Sequence, residues 1–249
     1  MMCKAMDFLG IKVASVTKRE MVENILEYAL VGRRKMITYL NAHCVNLSFS
    51  DPEYRAILKA ADLVYAGGKG VSWTSKLFSE SLPERVNILD FLDMLIRQLV
   101  DKQVTVYLLG SRQEIAEDAA RVLQKKGIKV VGKRNGFFDK KEECTVVKEI
   151  NTLRPDILMV GMGVPQQEKW IFSHLEKLDV KLCWGVGAAF EWISGHRKRA
   201  PKWMIRCGLE WVHRLYQEPR RLWKRYLLGN PIFLYRVLKE KFRKGGKND

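Results

Sequence analysis

Short apolar runs alternate with amphipathic stretches along most of this chain, and the alternation predicts its layers. Met36–Leu40, Asp62–Tyr65, Val104–Leu109 and Ile128–Val131 are brief runs rich in Val, Ile and Leu, as are the ILMVG and LCWG segments that end at Gly161 and Gly185. Such runs, bounded by glycine or polar clusters, read as parallel strands buried on both faces. The intervals carry apolar residues at helical spacing: Met21, Ile25, Tyr28 and Ala29 in one, Ile115, Ala119, Val122 and Leu123 in another. Thr17 with Glu20 forms a capping-box pattern opening a helix that runs to about Gly32, Asp51-Pro52 opens a second, and a third starts near Asn87 with Asp90 in its first turn. Residues 7–14 read as a short strand or hairpin arm, and the loop after Val131 is expected to pack Phe137 and Phe138 at its base. The pattern predicts an α/β, Rossmann-like core over residues 1–200, a mostly parallel sheet with flanking helices.

After Pro201 the pattern changes. Residues 203–217 read as one amphipathic helix, Pro219 opens another, and Gly229-Asn230-Pro231 is expected to break the chain before a third. Residues 201–249 are therefore expected to form a basic helical appendage, removable without unfolding the core.

Two stretches repeat a strand, glycine turn and polar helix start. In the first, Gly161 and Gly163 precede Gln166, Gln167 and Glu168; in the second, Gly185 and Gly187 precede Glu191 and the basic cluster His196–Arg199. Glycine lets the backbone approach a ligand, and strand ends of this kind are where α/β proteins bind phosphate-bearing groups. A sugar-nucleotide pocket is one reading; ordinary turns with a solvated rim are the other. Asn41 and His43 follow the first core strand, where a lone histidine more often serves as a structural hydrogen bonder than as a catalyst. Neither glycine loop completes a dinucleotide fingerprint, because Gln166 and Phe190 stand at the third glycine position, and no phosphate-binding P-loop occurs.

Charge sharpens this picture. The 249 residues carry a net charge of +16, and from His196 onward sixteen Lys and Arg face four Asp and Glu, so +12 lies in the tail. An anionic partner is implied: a diphosphate, a phospholipid surface or nucleic acid. Trp203, Trp211, Trp223, Phe233 and Tyr235 sit among these cations beside leucines, which favours an interfacial membrane surface over nucleic acid. The five scattered cysteines, Cys3, Cys44, Cys144, Cys183 and Cys207, read as free thiols in a reducing compartment. No leader and no apolar run of membrane-spanning length is evident, so the expected location is cytoplasmic with peripheral membrane contact.

The motifs N-x-H, ADLVYxxGxG, PER, LLGSRxExAEDAA, NGFF, PDILMVGMGxPQQEKW, GVGAAFEWISGxxxRAP and GLEWVHRLYQEPRRLWKRYLLGNP occur in order from Phe8 to Leu238. In this the chain resembles the WecG/TagA/CpsF family of bacterial glycosyltransferases. The resemblance implies inverting transfer of N-acetylmannosamine from a UDP donor to an undecaprenyl diphosphate-linked sugar at the inner face of the cell membrane. It implies no cofactor and no metal, and leaves a homo-oligomer open. It places Tyr39, Asn41, Arg85, Gln167, Glu168, Gly185 and Gly187 among substrate-binding residues, with Arg214, Arg221 and Arg225 reaching over the diphosphate. One departure stands out: Gly67 occupies the place of the family's aspartate base. Tyr39 stands where many members carry threonine, and His43 where glutamate is common. The chain is then either a transferase with another base, His43 among the candidates, or a binder of UDP-sugar or lipid carrier that has lost catalysis.

Overall fold

The computed structural model describes residues 4–31, 33–78 and 81–245; Cys3 and Gly32 lie outside them. One sheet holds the strands β1 (Ala5–Phe8), β2 (Ile11–Ala14), β3 (Lys35–Leu40), β4 (Leu63–Ala66), β5 (Thr105–Gly110), β6 (Lys129–Arg134), β7 (Ile157–Gly161) and β8 (Leu182–Gly185). Their order is β1-β2-β4-β3-β8-β7-β5-β6, and every neighbouring pair except the β1–β2 hairpin is parallel. Between strands lie α1 (Lys18–Val31), α2 (Ala42–Ser50), α3 (Pro52–Ala60), α4 (Lys69–Ser75), α5 (Ile88–Asp101), α6 (Gln113–Lys125), α7 (Glu143–Leu153), α8 (Gln166–His174) and, after β8, α9 (Ala189–Ile193). The architecture is α/β and Rossmann-like, as the alternation of runs predicts.

Successive strand residues point to opposite faces, and both faces are covered. Val106 and Leu108 of β5 and Trp184 of β8 join Met21, Ile25, Phe91 and Leu95 under α1, α5, α6 and α9; the Phe91 and Trp184 rings stack 6.3 Å apart. Tyr107, Leu109 and Leu158 face the other way, toward Val146, Ile150, Trp170 and Ile171 of α7 and α8. A third cluster gathers Phe8, Leu40, Val45, Tyr54 and Val71 at the β1–β4 end. The capping box of α1 is present, with Thr17 N donating to Glu20 Oε2 at 2.7 Å and Glu20 N to Thr17 Oγ1 at 3.3 Å.

The tail departs from expectation in three ways. Residues 203–217 are not one helix: α10 (Lys202–Arg206) and α11 (Glu210–Gln217) are separated at Gly208, whose φ of +76° favours glycine and whose missing Cβ leaves room for the Trp73 ring. Gly229-Asn230-Pro231 does not break the chain. Helix α12 (Pro219–Trp223) passes through a π-helical turn at Lys224–Leu228 into α13 (Gly229–Gly245). Pro231 has no N–H to give to the preceding turn, and a widened turn just ahead of it accommodates that gap. Finally, α13 is built into the body. Phe233 and Val237 belong to the third cluster, Asn46 Nδ2 donates to Gly229 O at 2.6 Å, and Arg236 donates to Asn46 Oδ1 at 2.7 Å. A removable appendage does not share a core in this way.

Elsewhere, α2 starts immediately after Asn41, where a simple strand end was expected, and β6 extends to Arg134. Phe138 packs edge-on against Trp170, but Phe137 is 76% exposed, so only one of the two rings lies at the loop base.

Candidate functional site

The carboxyl ends of β3, β4, β5, β7 and β8 open into one cavity of about 1220 Å³, roofed by α11, α12 and the start of α13. Parallel packing brings these ends together: Leu40 of β3 is in register with Ala66 of β4, so the chain leaving each strand enters the cavity side by side. Asn41 caps α2, its Oδ1 accepting from His43 N at 2.9 Å and Cys44 N at 3.1 Å. That cap holds His43 in the helix's first turn, on the cavity wall. Burial, and after it the Arg225 guanidinium, push the His43 imidazole down to about 4, so it is neutral at pH 7.

Gly67 follows β4 and donates its N–H to Leu40 O at 3.0 Å. Its φ is not positive, so its backbone tolerates a side chain. What it lacks is room: a Cβ there would lie 3.0 Å from Tyr39 Cβ and 3.1 Å from Cδ2. The same tyrosine reaches Gly187, where φ is +57° and a Cβ would stand 2.3 Å from the Tyr39 hydroxyl. Tyr39 therefore bridges two glycines on the cavity floor, and burial holds its hydroxyl protonated, well above the usual range.

Gln167 and Glu168, expected among the substrate-binding residues, have no exposed surface and do not line the cavity. They hold its floor from behind. Gln167 Oε1 accepts from Gly187 N at 2.9 Å, Gln167 Nε2 donates to Glu168 Oε1 at 2.7 Å, and Thr38 Oγ1 donates to the same oxygen at 2.7 Å. Gly185 is also displaced from the expected phosphate-facing role. Its missing Cβ leaves space for the Gln167 amide, 2.9 Å away, inside the protein.

Burial raises the Glu168 carboxyl to about 7. The folded state thus binds that proton more tightly than the unfolded chain, and stability is expected to fall as pH rises from the ordinary carboxylate range through about 7. Melting temperatures between pH about 5 and about 8 check this, with Glu168→Gln expected to flatten the profile. An equally sloped profile in the variant would assign the effect to another group.

Arg85, brought in by the Val86 N to Ala66 O bond of 3.0 Å, lines the cavity but is already engaged. It donates to Asp90 Oδ2 and to Glu210 Oε2, both at 2.6 Å, and Arg199 joins the same two carboxylates. Burial opposes the Asp90 charge, yet hydrogen bonds from Arg199 and Arg85 outweigh it and hold that carboxyl below the usual range. A second network links Glu191, Arg197, Glu218 and Arg221. Glu210 and Glu218 come from the tail, so both networks clamp the roof to the body.

Arg214 and Arg225 differ. Each lies against a ring, Trp192 at 5.8 Å and Tyr226 at 5.6 Å respectively, and neither has a carboxylate partner among the described residues. The Nε of each is buried without a hydrogen-bond acceptor. In all, Lys69, Arg85, Arg112, Arg197, Arg214, Arg221 and Arg225 face the cavity against Glu191, Glu210 and Glu218, leaving an excess of positive charge. Among the described residues no three His, Cys, Asp or Glu side chains converge as metal ligands would. The Arg85–Glu210 and Thr38–Glu168 contacts carry no local sequence signal, since their partners are over a hundred residues apart.

Residues 6–247 match the family described as glycosyl transferase WecG/TagA/CpsF. The chain is 31% identical over 238 residues to an N-acetylglucosaminyldiphosphoundecaprenol N-acetyl-beta-D-mannosaminyltransferase of Staphylococcus aureus strain MRSA252, covering 94% of this chain and 92% of that protein. The proteins of the same description from strains MW2 and NCTC 8325 are 30% identical with the same coverage. A match over nearly the whole length, on a parallel sheet whose strand ends open into a cationic cavity, places the chain among glycosyltransferases: it belongs to the WecG/TagA/CpsF family.

Proposed function

We propose that this protein transfers N-acetylmannosamine from a UDP donor to an undecaprenyl diphosphate-linked sugar, with inversion, in the synthesis of a cell-surface polymer such as teichoic acid. The observation that carries the reading is the pair Arg214 and Arg225 in the roof of the cavity, half-buried arginines whose Nε atoms have no hydrogen-bond acceptor and which have no carboxylate partner among the described residues. A diphosphate supplies what they lack. It brings charge to offset theirs and oxygens to accept their N–H groups, and as a leaving group it gains charge that these arginines stabilise.

Arg214→Ala and Arg225→Ala are each expected to lower kcat/KM with a short-chain, soluble lipid diphosphate acceptor by roughly 10- to 100-fold, the equivalent of about 1.5–3 kcal/mol. Arg221 is already paired with Glu218, so Arg221→Ala is expected to cost less. Product is read by mass spectrometry across a panel of UDP-sugars. Rates equal to the unaltered protein for both variants would remove the diphosphate from this place.

The roof's outer surface supports action at an anionic bilayer. Trp223, Leu227, Leu228, Ile232, Tyr235, Leu238 and Phe242 are exposed on consecutive turns among Lys and Arg. No helix among the described residues is long and apolar enough to cross a membrane. Each basic side chain near an anionic surface contributes about 1 kcal/mol. The specific observation favouring the second reading, a binder without turnover, is Gly67, which leaves the β4 strand end without a carboxylate. UDP-sugar binding with no product from any donor in the panel would establish it.

A further inference from the structure

Transfer to a hydroxyl requires a group that takes the hydroxyl proton, and on the transferase reading that group must line the cavity. Most candidates there are committed. Glu210 is bound by Arg85, Glu191 and Glu218 are bound by Arg197, and His196, bonded to Asp118 Oδ2 at 2.8 Å, stands on the exposed rim. The hydroxyls of Tyr39 and Tyr65 are held protonated by burial.

His43 remains. Its ring makes no hydrogen bond or ion pair among the described residues, while its main-chain N–H is fixed by Asn41 Oδ1. It sits in the first turn of α2, where the backbone amides disfavour an added positive charge. Arg225, from the π-helical turn, works the same way. The Glu168 carboxylate is enclosed behind the floor with Thr38 and Gln167. The imidazole is thus kept as a free base beside the arginine that would meet the leaving group.

We propose that His43 is the catalytic proton acceptor of this chain. As the acceptor hydroxyl oxygen bonds to the sugar's anomeric carbon, the bond from that carbon to the diphosphate oxygen breaks. The electron pair of that bond leaves with the nucleoside diphosphate, and the hydroxyl proton passes to a ring nitrogen of His43. Arg225 then faces both the leaving diphosphate and the newly charged imidazolium, so release of both products and return of the proton to water resets the site.

The test compares the unaltered protein with His43→Gln, which keeps a polar side chain but accepts no proton, using a short-chain lipid diphosphate acceptor and UDP-N-acetylmannosamine. The variant is expected to lose about 10²- to 10⁴-fold in kcat, with little change in KM for the UDP-sugar or in melting temperature. His43→Ala with added imidazole provides a second measurement, in which activity is expected to rise with imidazole concentration. A His43→Gln kcat within about threefold of the unaltered value, or a folded His43→Ala that imidazole does not rescue, overturns the assignment while leaving the transferase reading intact. An unaltered protein that binds the donor but forms no product refutes the transferase reading itself, and the assignment with it.

Discussion

Removing the chain from Trp203 onward is expected to unfold the protein instead of releasing a soluble core. The cut takes away Leu222, Tyr226, Phe233 and Val237, all buried, and uncovers Phe8, Leu40, Val45 and Val71, which share a cluster with Phe233 and Val237. Phe233 alone stacks on Phe8 with ring centroids 6.4 Å apart. At about 1.5–3 kcal/mol per buried large side chain the loss is on the order of 6–12 kcal/mol. Domain stabilities are themselves only about 5–15 kcal/mol. The cut also removes Glu210, one of the two carboxylates that Arg85 and Arg199 share, leaving both guanidinium groups on Asp90 alone. Circular dichroism during heating checks this directly. A truncated chain melting cooperatively within a few degrees of the full protein would show that α13 is a passenger. If the truncation unfolds, membrane binding by the tail must be tested with point changes on its exposed face, such as Trp223→Ser with Phe242→Ser, in the intact protein.

The body of the fold is legible because parallel strands covered on both faces are near-continuous apolar runs, and six of them stand out between amphipathic intervals. The tail is legible as helical and basic but not as part of the core. Phe233 and Val237 sit one turn apart in a helix whose other apolar residues face outward, and only the distant Phe8 and Val71 identify which two are inside. Helix continuity past Pro231 depends on a π-helical turn, and the split at Gly208 on a tryptophan more than a hundred residues earlier. The site divides similarly. Strand-end positions such as Asn41, Gly67 and Gly187 can be read from the strand–turn–helix pattern. The burial of Gln167 and Glu168 cannot, because their polarity suggests solvent or ligand, and only the Thr38 and Gly187 contacts show that they bond inside the protein. Opposite-charge clamps such as Arg85 with Glu210 depend on long-range geometry for which composition offers no clue.

Placing a carboxylate at position 67 is expected to fail alone and to succeed when Tyr39 is reduced at the same time. The obstacle is not backbone strain, since Gly67 has no positive φ. It is the Tyr39 ring, which would stand 3.0–3.2 Å from the new Cβ, closer than side-chain carbons ordinarily pack. Gly67→Asp should therefore lower the melting temperature and add little rate. Tyr39→Thr clears that volume, and the aspartate fills part of the void, so the pair should be more stable than the sum of the two single changes predicts. Because the ends of β3 and β4 lie side by side, an aspartate there would share the cavity with the acceptor hydroxyl that His43 serves. In a His43→Gln background, Tyr39→Thr with Gly67→Asp is then expected to recover activity by about 10²-fold or more, the scale of general-base assistance. Gly67→Asp alone in that background should recover far less. If the single change rescues as well as the pair, Tyr39 is not the barrier; if neither rescues, position 67 lies out of reach of the hydroxyl in this protein.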